Sequence, residues 1–380
     1  MQNVPKKFVY DILIEKENLC DRQMEVKRLT SAAGNKERVV LLAPRRYGKT
    51  SLVKNIVGEA AKKFRPKHLV ITVDLMSVSS LHSVATRLDH ALSQALSRQF
   101  SKATLLENVS RMLRNLSVGI EINSITGIPS VYFKMDPAEE EKNILKLTDA
   151  LLELERDRPL VLILDEFQDV GLVPEAEGLL RPLLQSLQNS GVFLLGSKRH
   201  LMERMFIDAR SPLFHYGTEM SLGPIPFTAW RPYFDERLGQ SGAAVTDEGL
   251  RYLLSRMCDV PNAVCEVGAW LQERYAGKRI DEKSVELALD EMVESKQGYN
   301  YRMEGLSALQ RRLLAGLASR HFVTEPTGKD FIEAVALSKS TAGKVLHDLR
   351  DKGIVEHEAN RGWRLSDPVL AHFIARKRPL

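Results

Sequence analysis

The sequence predicts an α/β fold built on a parallel sheet, followed by an α-helical segment and a small C-terminal domain of three helices and a hairpin. Between residues 38 and 196, short apolar runs alternate with amphipathic helical stretches, which is typical of a parallel sheet with helices on both faces. After about Thr228 these runs stop and helical periodicity takes over. We therefore predict three domains, at residues 1–227, 228–300 and 301–380.

Four buried strands form the predicted sheet. Each is a short apolar run bounded by charged or turn-forming residues, which suits a strand covered on both faces. The strands are expected at residues 38–43, 68–75, 159–165 and 191–196, and helices at 48–64, 80–100 and 177–188. Apolar and polar residues alternate over residues 117–135, where we expect an inserted β-hairpin without assignable chemistry.

The C-terminal segment has the pattern of a winged helix-turn-helix. Helical stretches at 306–319, 328–336 and 338–353 precede two short strands around 354–356 and 363–365. From residue 306 onward the chain holds 13 basic and 8 acidic residues, a difference equal to the whole net charge of +5. A phosphate backbone requires such an excess, and solvated surfaces also carry it, so charge alone leaves both interpretations open.

Composition excludes several classes of protein. At 380 residues and 44% hydrophobic content, the chain can bury one sizeable core. The N-terminus has no pattern of a secretory signal and no segment approaches about 18 consecutive apolar residues, so we expect a cytoplasmic protein without membrane association. Cys20, Cys258 and Cys265 lack zinc-ligand spacing, and we expect buried thiols rather than a metal site.

Residues 43–50, Ala-Pro-Arg-Arg-Tyr-Gly-Lys-Thr, match the phosphate-binding pattern G-x-x-x-x-G-K-[ST] except at the first glycine. A loop between a buried strand and a helix N-terminus directs backbone N–H groups at one point, which favours a triphosphate. Gly48 allows close approach, Lys49 reaches the β- and γ-phosphates, and the Thr50 hydroxyl can ligate Mg²⁺. The predicted ATP-binding residues are Ala43, Pro44, Arg45, Arg46, Tyr47, Gly48, Lys49, Thr50 and Ser51.

The apolar run that begins at Leu160 ends in two carboxylates, Asp165 and Glu166. A buried strand would place them at the sheet edge where the phosphate loop opens. We expect Asp165 to hold Mg²⁺ through water and Glu166 to act as the general base that polarises the attacking water. Ser197, after the fourth strand, is a candidate sensor of the γ-phosphate, and a plain turn is nearly as good an interpretation. Together these residues predict an ATP–Mg²⁺ site.

These motifs resemble the archaeal-type ATPase family, a branch of the STAND/AAA-like P-loop ATPases. The matching blocks are PRRYGKTSL (44–52), LILDEFQ (162–168), LLGS (194–197), SPLF (211–214) and LSDPVL (365–370). The resemblance covers nearly the whole chain. It implies a P-loop ATPase core, a helical lid and a C-terminal winged helix, with ATP and Mg²⁺ as ligands, in the order that the residues predict.

Three elements of that family are incomplete in this chain. Only Arg22 remains of a Gly-Arg-Glu element before the first strand, and only Pro261 remains of a Gly-x-Pro element at a lid helix. The resemblance makes both residues candidates for the nucleotide site. His-Tyr-Gly at 215–217 replaces the Gly-Arg expected after SPLF. Whether Arg210 or Arg231 substitutes for that arginine, or hydrolysis is slow, stays open.

The residues favour an ATP-hydrolysing switch whose nucleotide state changes the pose of the winged helix on double-stranded DNA. Candidate DNA contacts are Lys339, Ser340, Thr341 and Lys344 in the third helix, with Arg361 and Arg364 in the wing. Two alternatives stay open: a signalling or defence scaffold whose winged helix contacts a protein partner, and a ring-forming DNA motor. The missing arginine argues against the ring, because a neighbouring subunit's arginine usually completes such a site.

Overall fold

The computed structural model describes residues 6–99, 118–122, 129–136, 138–358 and 360–377. The chain divides into two compact units whose segments alternate along the sequence. The first unit contains Met1–Asp21, Arg45–Gly48 and Pro224–Leu380, and the second contains Arg22–Pro44 and Lys49–Gly223. The boundaries of the three predicted domains stay a prediction.

Within the described residues, the second unit is built on a five-stranded parallel sheet, which confirms the predicted fold class. The sheet order is β2-β5-β6-β1-β7, and every neighbouring pair is parallel. Strands β3 and β4 form a separate antiparallel hairpin. The strands are β1 (Arg38–Leu42), β2 (Leu69–Asp74), β3 (Val118–Ile122), β4 (Pro129–Phe133), β5 (Leu160–Asp165), β6 (Ser190–Gly196) and β7 (Thr218–Ser221).

The register of the sheet brings several strand ends to one edge. Asp74 of β2 lies beside Asp165 of β5, and Leu42 of β1 lies beside Gly196 of β6. Every residue of β5 and β6 is buried, as expected for parallel strands covered on both faces. The loops that follow β1, β5 and β6 therefore start close together, at the carboxyl edge where ligands bind in such sheets.

Amphipathic helices cover this sheet and share its apolar core, which includes Leu88, Leu151, Leu162 and Leu194. A π-helical segment, Ser51–Val57, follows the phosphate loop and continues directly into α2. A 3₁₀ segment, Phe167–Leu172, follows β5. The helices are α1 (Gln23–Gly34), α2 (Gly58–Ala61), α3 (Leu81–Gln99), α4 (Glu140–Asp157), α5 (Ala176–Ser186) and α6 (Arg199–Phe206).

The sequence predicted the inserted hairpin but not the edge strand β7. The antiparallel pairing of β3 with β4 confirms the inserted hairpin, and residues 123–128 between the two strands lie outside the described residues. Strand β7 was not predicted, because its sequence Thr-Glu-Met-Ser lacks an apolar run. It lies at the edge of the sheet, beside β1, and is largely exposed. Its polar side chains therefore stay hydrated.

The first unit is mainly helical and ends in a winged helix-turn-helix. A 3₁₀ turn, Lys16–Asn18, precedes its helices, and β8 (Ala244–Val245) pairs with β9 (Arg279–Ile280). The wing is β10 (Val355–Glu358) paired antiparallel with β11 (Gly362–Leu365). The helices are α7 (Phe227–Gly239), α8 (Asp247–Arg256), α9 (Pro261–Arg274), α10 (Glu282–Ser295), α11 (Gly298–Glu304), α12 (Ala308–Arg320), α13 (Lys329–Ala334), α14 (Lys339–Asp351) and α15 (Pro368–Lys377).

Helix α14 begins and ends close to the predicted bounds of residues 338 and 353. The Ser338 hydroxyl accepts a hydrogen bond from the Thr341 N–H at 3.2 Å and caps the helix start. Gly353, with φ of +69°, adopts the left-handed backbone that commonly follows a helix end. The three cysteines are buried thiols, as expected. No helix in the described ranges is both long enough and apolar enough to cross a membrane.

Candidate nucleotide-binding site

The loop after β1 first continues the pairing of the strand and then adopts left-handed backbone at two residues. The Ala43 N–H donates to the Gly196 carbonyl oxygen at 3.1 Å, so pairing with β6 continues one residue beyond β1. Arg46 and Gly48 then adopt left-handed backbone, with φ of +65° and +82°. A Cβ at Gly48 would meet nothing within 4 Å, so backbone conformation rather than space explains this glycine. Thr50 is already helical, with φ of −64° and ψ of −43°.

The Lys49 side chain lies between the two carboxylates that end β5. Its Nζ atom is 2.8 Å from Asp165 Oδ1 and 2.8 Å from Glu166 Oε1. The Thr50 hydroxyl donates to Asp165 Oδ2 at 2.6 Å. Only 5% of the Lys49 side chain is exposed. The structure thus brings together two pairs of adjacent residues, 49–50 and 165–166, that lie more than a hundred positions apart in the sequence.

Burial and neighbouring charges shift the pKa values of Lys49 and Glu166 in opposite directions. Burial would lower the pKa of Lys49, but the charges of Asp165 and Glu166 and hydrogen bonds to both raise it. Burial would likewise raise the pKa of Glu166, but the Lys49 charge and three side-chain hydrogen bonds together lower it to about 2. The lysine is therefore held as a cation and Glu166 as a carboxylate at neutral pH.

A second set of contacts holds the other oxygen of Glu166. The Ser197 hydroxyl and the Gln168 Nε2 each donate to Glu166 Oε2 at 2.7 Å. Glu166 itself has left-handed backbone, with φ of +51°. Ser197 was predicted as a site residue and lies here, whereas Gln168 was not. A glutamine two residues after the acidic pair, in a buried segment, is the sequence signal that identifies it.

The remaining loop residues divide between the two units. Pro44 is half-buried, and Ser51, the first residue of the π-helical segment, is buried in the second unit. Tyr47, in the first unit, is only 5% exposed. Burial raises the pKa of its hydroxyl, so Tyr47 stays neutral. These three residues fill space around the loop rather than presenting charge.

Arg46 contacts both the winged helix and the start of α9 within the first unit. Its Nη1 atom is 3.1 Å from Asp367 Oδ2, and its carbonyl oxygen accepts a hydrogen bond from the Asn262 N–H at 3.3 Å. Burial would lower the pKa of Arg46, but the charges of Asp367 and Asp11, together with smaller contributions that include the hydrogen bond to Asp367, raise it overall. The guanidinium of Arg45 occupies the space that a side chain on Gly353 would need. Both loop arginines therefore contact the C-terminal domain.

The two candidates that rested on the resemblance lie in different surroundings. Arg22 is buried, and its guanidinium contacts Glu25 at 2.9 Å and the Gly223 carbonyl oxygen. Pro261 occupies the first turn of α9, directly before the residue that binds the Arg46 carbonyl. Arg22 therefore has a structural role, and Pro261 lies beside the phosphate loop.

The alternative arginines are already paired with carboxylates. Arg210 pairs with Asp208 at 2.9 Å. Arg231 contacts Asp235 and, at 3.2 Å, Asp247. Neither contact indicates a role at a γ-phosphate.

Helix α14 presents most of its predicted DNA contacts to solvent. Lys339, Ser340 and Lys344 are exposed, and Thr341 is partly exposed. The Thr341 hydroxyl is 2.8 Å from the Ser338 hydroxyl, so it also belongs to the helix cap.

The wing arginines are engaged within the protein, and the prediction for Arg364 is wrong. Arg364 is 1% exposed, and its guanidinium pairs with Glu356 and, at 2.6 Å, with Glu358. A guanidinium buried between two carboxylates cannot reach a DNA phosphate. Arg361 pairs with Asp259 at 2.8 Å, which neutralises the charge that a phosphate contact would use.

A further cluster of possible metal ligands is an ion-pair network. Glu286, Asp290 and His372 place ligand atoms within 4.8 Å of one another. Asp290 Oδ1 is 2.9 Å from His372 Nε2 and 2.7 Å from Arg376 Nη1. Arg256 Nη2 lies 2.5 Å from His372 Nδ1. Arg256 Nε also lies 3.5 Å from Glu286 Oε2. Two guanidinium groups therefore already compensate Glu286 and Asp290, and the network joins α8 and α10 to α15.

Comparisons with known proteins agree with this architecture. A sequence profile described as "Probable winged helix domain" matches residues 297–376. No curated protein matches the chain in sequence. Among solved structures, a Walker-type ATPase of Pyrococcus abyssi has a TM-score of 0.60 at 15% identity, covering 97% of this chain and 99% of that chain.

Two proteins of Aeropyrum pernix also share the fold. The ORC1 protein, solved in complex with DNA, has a TM-score of 0.51 at 14% identity, covering 97% of this chain and 95% of that chain. The ORC2 protein, solved in ADPNP–ADP complexes, has a TM-score of 0.52 at 14% identity, with 97% of both chains covered. Similarity at such identities concerns the fold. The chain therefore has the fold of a P-loop ATPase with a C-terminal winged helix, which confirms at that level the resemblance indicated by its motifs.

The lowered pKa of Glu166 predicts an acid-sensitive contribution to stability. With a pKa of about 2 in the folded protein and an ordinary value of 4.5 when unfolded, this carboxyl stabilises the fold above pH 4.5. Its contribution, on the order of 3 kcal/mol, declines as the pH falls toward 2. In nucleotide- and magnesium-free protein, the free energy of unfolding should therefore fall more steeply in acid for the wild type than for Glu166→Gln.

Urea unfolding at about pH 7, 5 and 3 measures this difference. The exposed Glu304→Gln serves as the control and should follow the wild type. Parallel pH profiles of wild type and Glu166→Gln would contradict the prediction.

Proposed function

We propose that this protein binds ATP with Mg²⁺, hydrolyses the γ-phosphate and uses its nucleotide state to control a DNA-binding winged helix. The observation that carries the catalytic part is the buried contact of Lys49 with Asp165 and Glu166 at the carboxyl edge of the parallel sheet. A cation at a helix start attracts phosphates, and neighbouring carboxylates supply metal binding and a base. The fold shared with a Walker-type ATPase supports this assignment.

The side chains at this edge divide the work by their chemistry. Thr50 and Asp165 present neighbouring oxygen atoms, hard donors that fit Mg²⁺ and would hold it. The metal, when bound, would neutralise charge on the phosphates. Lys49 would bind the β- and γ-phosphate oxygens, and the backbone N–H groups of residues 45–50 would contribute the rest of the phosphate contacts.

Glu166 has the protonation state that a general base requires. It is a carboxylate at neutral pH, and within the described part of the chain the side-chain hydrogen bond to its Oε1 atom comes from Lys49. A phosphate that draws Lys49 away would free Oε1 to accept a proton from water. Ser197 contacts the opposite oxygen, so it would orient this base.

Replacing the base should separate binding from turnover. We expect Glu166→Gln to bind ATP with Mg²⁺ within a few-fold of the wild type and to lose turnover by roughly 100- to 10,000-fold. Lys49→Ala should lose nucleotide binding, because the phosphate-binding cation is gone. Fluorescent-nucleotide titration and phosphate release measure the two steps. Equal phosphate release from wild type and Glu166→Gln would contradict the enzymatic proposal.

The control of the winged helix rests on the loop arginines. Arg46 lies against Asp367, the aspartate of the LSDPVL block, and Arg45 lies over Gly353 at the end of α14. A carboxylate and a phosphate are alternative acceptors for one guanidinium. Nucleotide phosphates and Asp367 would therefore compete for Arg46, so that nucleotide binding loosens this contact of the loop with the winged helix.

Removing the Asp367 charge should strengthen nucleotide binding. Asparagine still accepts the Leu370 N–H that Asp367 Oδ1 binds at 3.1 Å, so the start of α15 is kept while the ion pair weakens. We expect Asp367→Asn to lower the Kd for ATP by about 3- to 10-fold, the scale of a partly exposed ion pair. The exposed Asp351→Asn is the matched control. An unchanged or higher Kd in Asp367→Asn would contradict the competition.

DNA binding is assigned to the exposed face of α14. Lys339, Ser340 and Lys344 are solvent-facing on the helix that enters the groove in this type of domain. The ORC1 protein that shares the fold was solved with DNA. A second candidate role is contact with a protein partner, as in a signalling scaffold. It is favoured by Arg361 and Arg364, whose guanidinium groups pair with carboxylates of the protein itself.

The salt dependence of duplex binding distinguishes a winged helix that contacts DNA from one that contacts a protein partner. Replacing Lys339 and Lys344 by Ala should weaken duplex binding and reduce the slope of log K against log salt by roughly 0.9 per lost phosphate contact. Lys352→Ala, whose ammonium pairs with Asp348 at 2.9 Å, is the control and should leave the slope unchanged. No binding of any duplex by the wild type at low salt would favour the protein-contact role.

A further inference from the structure

Gln168 is a buried amide that joins two strand ends at the candidate site. Its exposed fraction is 0%. The Nε2 atom donates to Glu166 Oε2 at 2.7 Å and approaches Asp169 Oδ1 at 3.3 Å. The Oε1 atom accepts the backbone N–H of Ser197 at 3.1 Å. The side chain therefore links the end of β5 to the end of β6.

The orientation of this amide follows from its neighbours. One end faces two carboxylate oxygens, which only accept hydrogen bonds, and the other end faces an N–H, which only donates. Reversing the amide would place its oxygen against the carboxylates and its NH₂ against the Ser197 N–H. The chemistry of the site thus allows one orientation, with the donor toward Glu166.

The segment that carries Gln168 is fixed on both sides. Phe167 is fully buried in the apolar core. Asp169 accepts the Ser77 N–H at 2.8 Å, from the loop after β2, and contacts Lys198 Nζ at 3.2 Å, from the loop after β6. Because its backbone neighbours are held in this way, Gln168 has little freedom to follow a movement of Glu166.

We propose that Gln168 is a positioning residue: it holds Oε2 of the Glu166 carboxylate so that Oε1, once Lys49 releases it, faces the water attacking the γ-phosphate. This rests on the hydrolysis proposed above. The two oxygens of Glu166 have different partners: Oε2 is held by Gln168 and Ser197, whereas Oε1 is held by Lys49. Only the lysine is a cation that a phosphate attracts. Nucleotide binding would release Oε1 while Oε2 stays fixed.

The step at this site balances with water as the co-reactant. The water oxygen forms a bond to the γ-phosphorus, and the bond from that phosphorus to the oxygen bridging to the β-phosphate breaks. A water proton moves to Glu166 Oε1 and then leaves to solvent, while ADP and inorganic phosphate are the products. Gln168 takes no part in the proton transfer. It determines the direction in which Oε1 points.

A pair of substitutions separates positioning from packing. Gln168→Met keeps the length of the side chain and removes its hydrogen bonds. We expect it to lower kcat by roughly 10- to 100-fold, the scale of a misplaced catalytic group, while the Kd for ATP stays within twofold. The exposed Gln185→Met is the control and should match the wild type in both measurements.

Gln168→Glu provides a readout that a packing role does not predict. A protonated glutamate offers one donor and one acceptor, as glutamine does, whereas a carboxylate offers acceptors only and adds charge beside Glu166 and Asp169. The activity of Gln168→Glu relative to wild type should therefore be highest at acidic pH and fall as the pH rises. Gln168→Met should show no such trend relative to wild type.

The outcomes are distinct. The proposal is overturned if Gln168→Met retains full kcat. It is also overturned if kcat, ATP affinity and melting temperature fall together, or if Gln168→Glu shows no pH trend relative to wild type. Absence of Mg²⁺-dependent phosphate release by the wild type itself would overturn the proposed function, and the positioning role with it. If the wild type is active and Gln168→Met has the same kcat as the wild type, only this inference is overturned.

Discussion

The carboxyl edge of the parallel sheet in the second unit depends on one buried cation, the Lys49 ammonium. Taking an ammonium group out of water is unfavourable, and so is placing two carboxylates side by side. Together the three groups compensate, because each oxygen that faces Lys49 lies 2.8 Å from it. Without the lysine, Asp165 and Glu166 would repel each other at the end of a strand that is buried throughout. The ion cluster therefore fixes the geometry of the loops that follow β1 and β5.

The same loop has a second charged partner in the first unit. Three positions before Lys49, Arg46 pairs with Asp367 of the C-terminal domain. Two cations of one short loop are thus each held by carboxylates. In the proposed mechanism, the phosphate oxygens of ATP compete with these carboxylates as acceptors for the cations of the loop. This competition is the physical basis proposed here for linking nucleotide binding to the winged helix.

Prediction from the sequence was accurate where the signal was local. The buried strands β5 and β6 and the phosphate loop were found because apolar runs and the Gly-Lys-Thr pattern are read from neighbouring residues. Strand β7 was missed because a polar edge strand carries no apolar run. Arg364 was misassigned because its burial depends on the register of the wing, which places it opposite Glu356. The sequence of one strand alone does not show which residues of the other strand lie opposite it.

The sequence alone determined the order of the helices and of the apolar strands, the bounds of helix α14, and the residue types needed for phosphate and metal binding, since these follow from periodicity and side-chain chemistry. Tertiary structure decided which charges meet. It paired Lys49 with the acidic residues of β5, aimed the Gln168 amide at Glu166, and turned the wing arginines toward carboxylates. Such pairings depend on distances between segments remote in the chain, and only the packed sheet and wing set those distances.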